Sequence, residues 1–229
     1  MHASISRLSA LAVIVGLMLM FNGHFAETAT AAYAQTGLIA AAAVGDIAAV
    51  KKALSAGAAL EERDERRRTA LLAAVHGNHV EVARALIEAG ADVNAKDDMN
   101  DSPYLYAGAR GYLDILKLTL EHGADLESTN RYGGTALIPA AERGHVETVS
   151  TLIEAGVDVD HVNKLGWTAL LEAIILGDGG SRHIEIVKLL VEAGANVNLA
   201  DKDGVRPLQH ARQRGYSEIV SLLQNAGAK

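Results

Sequence analysis

Apolar residues recur along this chain in pairs of short helical stripes separated by glycine. The stretch from Gly134 to Gly166 shows the pattern clearly. Leu137, Ile138, Ala140 and Ala141 fall on one helical face, Gly144-His145 interrupts it, and Val146, Val149, Leu152 and Ile153 restart the 3.6-residue period. Thr135 precedes the first stripe and is expected to cap it, its hydroxyl accepting an orphaned backbone N–H. Gly156 ends the second stripe, where the left-handed C′ conformation is free of steric cost only for glycine. An extended segment ending in Asn163-Lys164-Leu165-Gly166 then turns toward the next threonine.

The unit repeats. The second-helix stop recurs at Gly57, Gly90, Gly123, Gly156, Gly194 and Gly227, in steps of 33, 33, 33, 38 and 33. The cap position gives Thr36, Thr69, Ser102, Thr135, Thr168 and Arg206, in steps of 33, 33, 33, 33 and 38. With Ser102-Pro103, Thr-Ala-Leu at Thr69, Thr135 and Thr168, Gly-His at 144–145 and Glu-Ala-Gly-Ala-Asp-Val-Asn at 88–94, residues 36–229 resemble an ankyrin-repeat protein. The resemblance implies an all-α ankyrin-repeat solenoid of about six helix–turn–helix repeats with short β-hairpin fingers. The repeats run 36–68, 69–101, 102–134, 135–167, 168–205 and 206–229 within a domain of 35–229.

Residues 1–34 do not fit the repeat. Arg7, an apolar run from Leu8 to Phe21 and the ending Ala32-Tyr33-Ala34 read as a secretory signal peptide, with cleavage expected after Ala34. An uncleaved anchor is the alternative, although the run is short for a membrane span of roughly 20 residues. Cleavage removes one base, Arg7, and one acid, Glu27, so the net charge of −7 is unchanged. An acidic chain without a basic stripe is a poor match for nucleic acid, whose phosphates dominate affinity. There is no cysteine, so stability must come from packing within the stack and not from disulfides. A monomer is expected, with no membrane contact after cleavage and no cofactor.

Several repeats depart from the common pattern. Repeat one is Ala-rich and its finger, 61–68, is almost wholly charged, as suits a terminal cap. Asn78 stands where other repeats carry Gly, and asparagine tolerates the left-handed region. Tyr104 replaces Leu in repeat three, and Pro139 enters the first turns of a helix in repeat four. Repeat five carries five extra residues, 178–182, and repeat six is polar enough to close the stack. The family's usual Thr-Pro-Leu-His places a histidine after Leu. Here Leu72, Leu105, Ile138, Leu171 and Gln209 occupy that position, so aliphatic contact is expected to replace a polar link.

The resemblance also implies where function lies, since partners of ankyrin stacks meet the finger tips and first-helix ends of a concave surface. Carried over, those positions include Met99, Arg110, Arg131, Tyr132, Arg143, Lys164, Leu165, Trp167, Ile175 and Leu176 as the protein-binding candidates. Tyr132, Leu165 and Trp167 form the expected centre, because interface hot spots favour Trp, Tyr and Arg. Trp167 packed between neighbouring fingers is the plainer reading of that residue. Ile175-Leu176 is either exposed to a partner or covered by the 178–182 insertion, and the covered arrangement is the expectation.

Catalytic and metal chemistry find little footing. His79, His145 and His183 share one repeat position, filled by Tyr112 and Tyr216 elsewhere, which suggests a structural role opening the second helix. His76 and His79 lack a third ligand for zinc. The glycine-rich 178–182 loop lacks the context and lysine of a phosphate loop. No hydrolase elbow or metalloprotease motif exists, and the fingers lack a calcium-loop pattern. The expected role is therefore non-catalytic binding of a protein of unknown identity. A hydrolase on the same scaffold is the rival, requiring a nucleophile beside a base. The stretch 128–180 further resembles bacterial exported ankyrin proteins. That likeness implies a periplasmic location and suggests support of oxidative stress defence, with onward secretion as a host-directed effector the alternative.

Overall fold

The computed structural model describes residues 37–229, so the leader and Thr36 lie outside the described residues. Twelve helices follow in sequence. They are α1 (37–43), α2 (Ile47–Ser55), α3 (Ala70–His76), α4 (Val80–Glu88), α5 (Pro103–Arg110) and α6 (Leu113–Glu121). The second half adds α7 (Leu137–Glu142), α8 (Val146–Glu154), α9 (Ala169–Ile175), α10 (Ser181–Glu192), α11 (Pro207–Gln213) and α12 (Ser217–Asn225). The short helices α3, α5, α7, α9 and α11 pack in succession to form an inner layer. The longer α2, α4, α6, α8, α10 and α12 pack behind them as an outer layer. One continuous core runs between the layers, as expected when each repeat buries its apolar face against its neighbours. Leu72, Leu105, Ile138 and Leu171 are all buried, Leu105 and Ile138 within that core, so aliphatic side chains fill the histidine position, while Gln209 is exposed.

The caps behave as their chemistry dictates, with one exception. Thr69, Ser102 and Thr168 each accept the backbone N–H three residues on, at 3.2 Å. Their carbonyls accept the N–H four residues on, from Ala73, Tyr106 and Glu172. In repeat four that fourth residue is Pro139, which has no N–H to give. The helix starts one residue later, at Leu137, and the buried Thr135 hydroxyl has no hydrogen-bond partner. Thr135 is therefore not the side-chain cap that its position in the repeat predicts. Asn78 is left-handed, with φ of 52°, as its place in the repeat requires.

The fingers differ from the expected β-hairpins, and no strand occurs among the described residues. Each finger is a single tight turn built on one Asp or Asn. Asn163 Oδ1 accepts the N–H of Leu165 at 2.9 Å and of Trp167 at 3.1 Å, while its own N–H donates to the Trp167 carbonyl. Asp64, Asp97, Asn130 and Asp201 repeat the arrangement. These side-chain bonds take up donors that a strand ladder would use, so the chain turns before a ladder can form. Lysines then tie finger to finger: Lys96 Nζ donates to the Thr129 carbonyl at 2.9 Å and Lys164 Nζ to the Arg131 carbonyl at 3.0 Å.

Candidate functional site

The concave face carries a groove of about 300 Å³ where repeats three, four and five meet. Its walls come from the inner helices α5, α7 and α9 and from the fingers at 130–134 and 163–167. Side chains from the short inner helices and tight fingers of three consecutive repeats thus face one space. Six of the ten sequence-derived candidates line it: Arg110, Arg131, Tyr132, Arg143, Leu165 and Leu176. The apolar members are open to solvent, with Tyr132 53% exposed, Leu165 51% and Leu176 49%.

The other four candidates sit around the groove and do not line it. Met99 is 43% exposed and receives the Arg131 guanidinium on its sulfur at 3.4 Å. Lys164 is engaged in the finger ladder, its backbone N–H donating to the Tyr132 carbonyl at 2.9 Å. Trp167 is half-buried at the base of its finger, closer to the packing role than to the centre of an open surface. Ile175 is half-buried.

The 178–182 insertion does not cover Leu176. It adds an N-terminal turn to α10, the longest helix at twelve residues, and packs its Gly179 against the Tyr216 ring of the next repeat. Asp178 Oδ1 accepts the Gly180 N–H at 2.9 Å and pairs with His183 Nδ1 at 2.8 Å. The loop thus spends its polar groups on itself, and Leu176 stays open because the extra residues run toward α12.

The shared His/Tyr position links repeats as well as opening helices. His79 Nε2 donates to the Ala43 carbonyl at 3.1 Å, His183 Nε2 to the Glu142 carbonyl at 2.9 Å, and Tyr216 Oη to the Gly177 carbonyl at 2.9 Å. His79, Tyr112, His145 and Tyr216 stand directly before α4, α6, α8 and α12. The added turn places His183 inside α10.

Charge in the groove is layered. Arg110, Arg131 and Arg143 are exposed. Arg131 lies over the Tyr132 ring at 4.7 Å and Arg110 over the Tyr106 ring at 5.7 Å, while Arg143 donates to the Ala109 carbonyl. Three carboxyls line the same space, Asp101, Glu142 and Glu172. Yet none of the three arginines forms an ion pair among the described residues. Glu172 is only 5% exposed and accepts from Asn163 Nδ2 at 2.8 Å. Burial pushes its pKa up to about 7, helped by the charge of Glu142 and opposed by the Asn163 hydrogen bond and Arg143. Burial and the neighbouring Asp97 likewise raise Asp101.

Asp101 and Glu142 lie at a finger and a first-helix end, but Glu172 is not at such a position, because it sits in the middle of α9. Its signal was compositional: Ala73, Tyr106, Pro139 and His210 hold the equivalent position, and a carboxylate inside an apolar helix is out of pattern.

Known proteins place this architecture. A model of three-copy ankyrin repeats matches residues 10–97, 38–130, 104–201 and 161–229. The ankyrin repeat protein YahD of Escherichia coli (strain K12) is 42% identical over 57 residues, a match spanning 25% of this chain and only 28% of that protein. The crystal structure of an ankyrin repeat domain, ABAYE2397, from Acinetobacter baumannii AYE superposes with a TM-score of 0.82 at 68% identity, covering 84% of this chain and 98% of that one. The ankyrin repeat protein EF0377 gives 0.80 at 44% identity, covering 83% and 97%. The ankyrin repeat domain of Bcl-3, a member of the IkappaB protein family, gives 0.75 at 31% identity, covering 84% and 86%. With the repeat period, the two-layer stack and these likenesses in agreement, the chain belongs to the ankyrin-repeat family.

Proposed function

We propose that this protein is a non-catalytic interaction module that binds a protein partner in the groove of repeats three to five. The observation carrying the proposal is the open cluster of Tyr132, Leu165 and Leu176 on one concave surface. Large half-exposed apolar side chains are stabilised most by leaving water, and Tyr and Arg are enriched in binding hot spots. Met99, Lys164, Trp167 and Ile175 then act as the flank of this surface.

A non-catalytic role accords with how His183, one of two histidines paired with a carboxylate among the described residues, is used. His183 has one ring nitrogen on Asp178 and the other on the Glu142 carbonyl, leaving neither free to act as a base. The leader at 1–34 supports a periplasmic home, and the resemblance to exported bacterial ankyrin proteins supports a part in stress defence there.

The test is affinity capture from periplasmic extract with wild type and with a Tyr132→Ala/Leu165→Ala variant of matched helicity. A specific co-purifying protein that the variant loses is the expected result. Equal capture by both would move the binding surface off the groove.

A further inference from the structure

The groove presents three arginines that form no ion pair among the described residues. Each guanidinium is held by a contact that fixes its position but carries no negative charge: a methionine sulfur and tyrosine face for Arg131, a carbonyl for Arg143, and a tyrosine face for Arg110. Carboxyls are present in the same groove, but Glu172 is buried and spends one oxygen on Asn163. Asp101 and Glu142 are half-buried, so the exposed charges lining the groove are the three arginines, on a chain whose net charge is −7. Guanidinium favours carboxylate in paired, planar geometry. Between the arginines lie the apolar side chains of Leu165 and Leu176.

We infer that the groove recognises an acidic peptide segment, one that sets carboxylates on Arg110, Arg131 and Arg143 and an apolar or aromatic side chain on Leu165 and Leu176. This rests on the reading of the groove as a protein-binding site and adds the chemistry of what enters it. The volume of about 300 Å³ suits a few side chains of an extended segment and is too small for a folded domain to enter. Nucleic acid shares the negative charge, but it requires a basic track that this acidic chain lacks. Complementary charge of this kind fixes orientation and hastens encounter, and salt weakens it.

A displayed library of random 12-residue peptides tests the inference, selected on the full chain and, in parallel, on an Arg131→Gln/Arg143→Gln variant with unchanged circular dichroism. Sequences enriched on wild type are expected to carry excess Asp and Glu beside Leu, Phe or Tyr, and the variant is expected to lose that enrichment. For an enriched peptide measured by fluorescence anisotropy, replacing its acids with Asn and Gln should weaken binding at least tenfold. Enrichment without acidic bias, or equal enrichment on both proteins, overturns the inference. So does tighter binding of a 12-nucleotide oligothymidine than of any selected peptide. The two proposals separate cleanly. A partner captured through Tyr132 and Leu165, together with peptides lacking acidic bias, refutes the acidic chemistry and leaves the protein-binding groove standing.

Discussion

At the scale of single residues, two buried polar groups set the chemistry of the stack. Tyr104 occupies a position that is Leu71, Leu137, Leu170 and Leu208 in other repeats, and its hydroxyl is buried without a partner. An unmet hydroxyl costs about 1–3 kcal/mol. Tyr104→Phe keeps the ring and removes that cost. It should raise the urea midpoint by the equivalent of about 1 kcal/mol with no change in slope, and a lower midpoint would show that the hydroxyl has a partner in solution. Glu172 is a carboxyl whose pKa is raised from 4.5 to about 7 in the folded chain. Below the unfolded pKa both states are protonated and nothing is lost. Between the two values the unfolded state releases its proton first, so stability falls as pH rises, and the loss is complete above about 7. The shift corresponds to roughly 3 kcal/mol at most. Glu172→Gln can still accept from Asn163 without ionising, so its stability should vary less between pH 4.5 and 7 and exceed wild type near neutrality. Chemical denaturation at several pH values reads this directly; parallel profiles for both proteins would refute it.

At the scale of elements, the finger is the unit that decides what the groove looks like. Asn163 holds the turn that carries Leu165 and also bonds Glu172, so one side chain connects finger, inner helix and groove floor. Asn163→Ala removes three hydrogen bonds. At about 1 kcal/mol each and with partial replacement by water, a loss of about 2 kcal/mol is expected. Amide exchange should quicken at Leu165 and Trp167 while α8 stays protected, and uniform quickening would mean the finger is not a separate unit. The helices themselves were plain in the sequence, because apolar stripes and glycine stops repeat at a fixed step. The finger architecture, expected as β-hairpins, was not, although its anchors Asp64, Asp97, Asn130, Asn163 and Asp201 recur in the same step. It was hidden only because short polar residues in a loop look alike until their oxygens are placed. Thr135 failed as a cap for a reason that lay four residues away, in the missing N–H of Pro139. The groove was half visible: its arginines and its exposed tyrosine and leucines follow from repeat position. So do Asp101 and Glu142, but Glu172 does not, because a first-helix interior normally faces only the core. The direction taken by 178–182 depended on the Tyr216 ring one repeat further on, a contact between residues 37 apart that no local pattern contains.

At the scale of the molecule, each repeat touches only its neighbours, so cooperativity is the sum of adjoining interfaces. The interface between repeats three and four can be disturbed by a single substitution. Gly108 of α5 faces Ala136 so closely that an added Cβ would lie 2.8 Å from the Ala136 Cβ. Gly108→Val must push α5 and α7 apart, and overpacking of this kind costs about 1–3 kcal/mol. That cost falls on the coupling between halves and leaves the repeats on either side intact. The protein provides its own reporter, since its single tryptophan, Trp167, lies on the C-terminal side of the break. In wild type, tryptophan fluorescence and far-ultraviolet circular dichroism should follow one urea transition. In Gly108→Val, circular dichroism should fall first while fluorescence holds, because the Ala-rich first repeat gives the N-terminal half less apolar surface to bury. Two curves displaced together would mean that the halves remain coupled through the outer helices α6 and α8 and the finger ladder. The separation also bears on the groove, which spans this interface through Arg110 on one side and Arg143 on the other. If binding needs both arginines in register, a ligand selected on wild type should lose affinity for Gly108→Val even where both halves remain folded. The binding surface would then belong to the stacking of the repeats and to no single repeat.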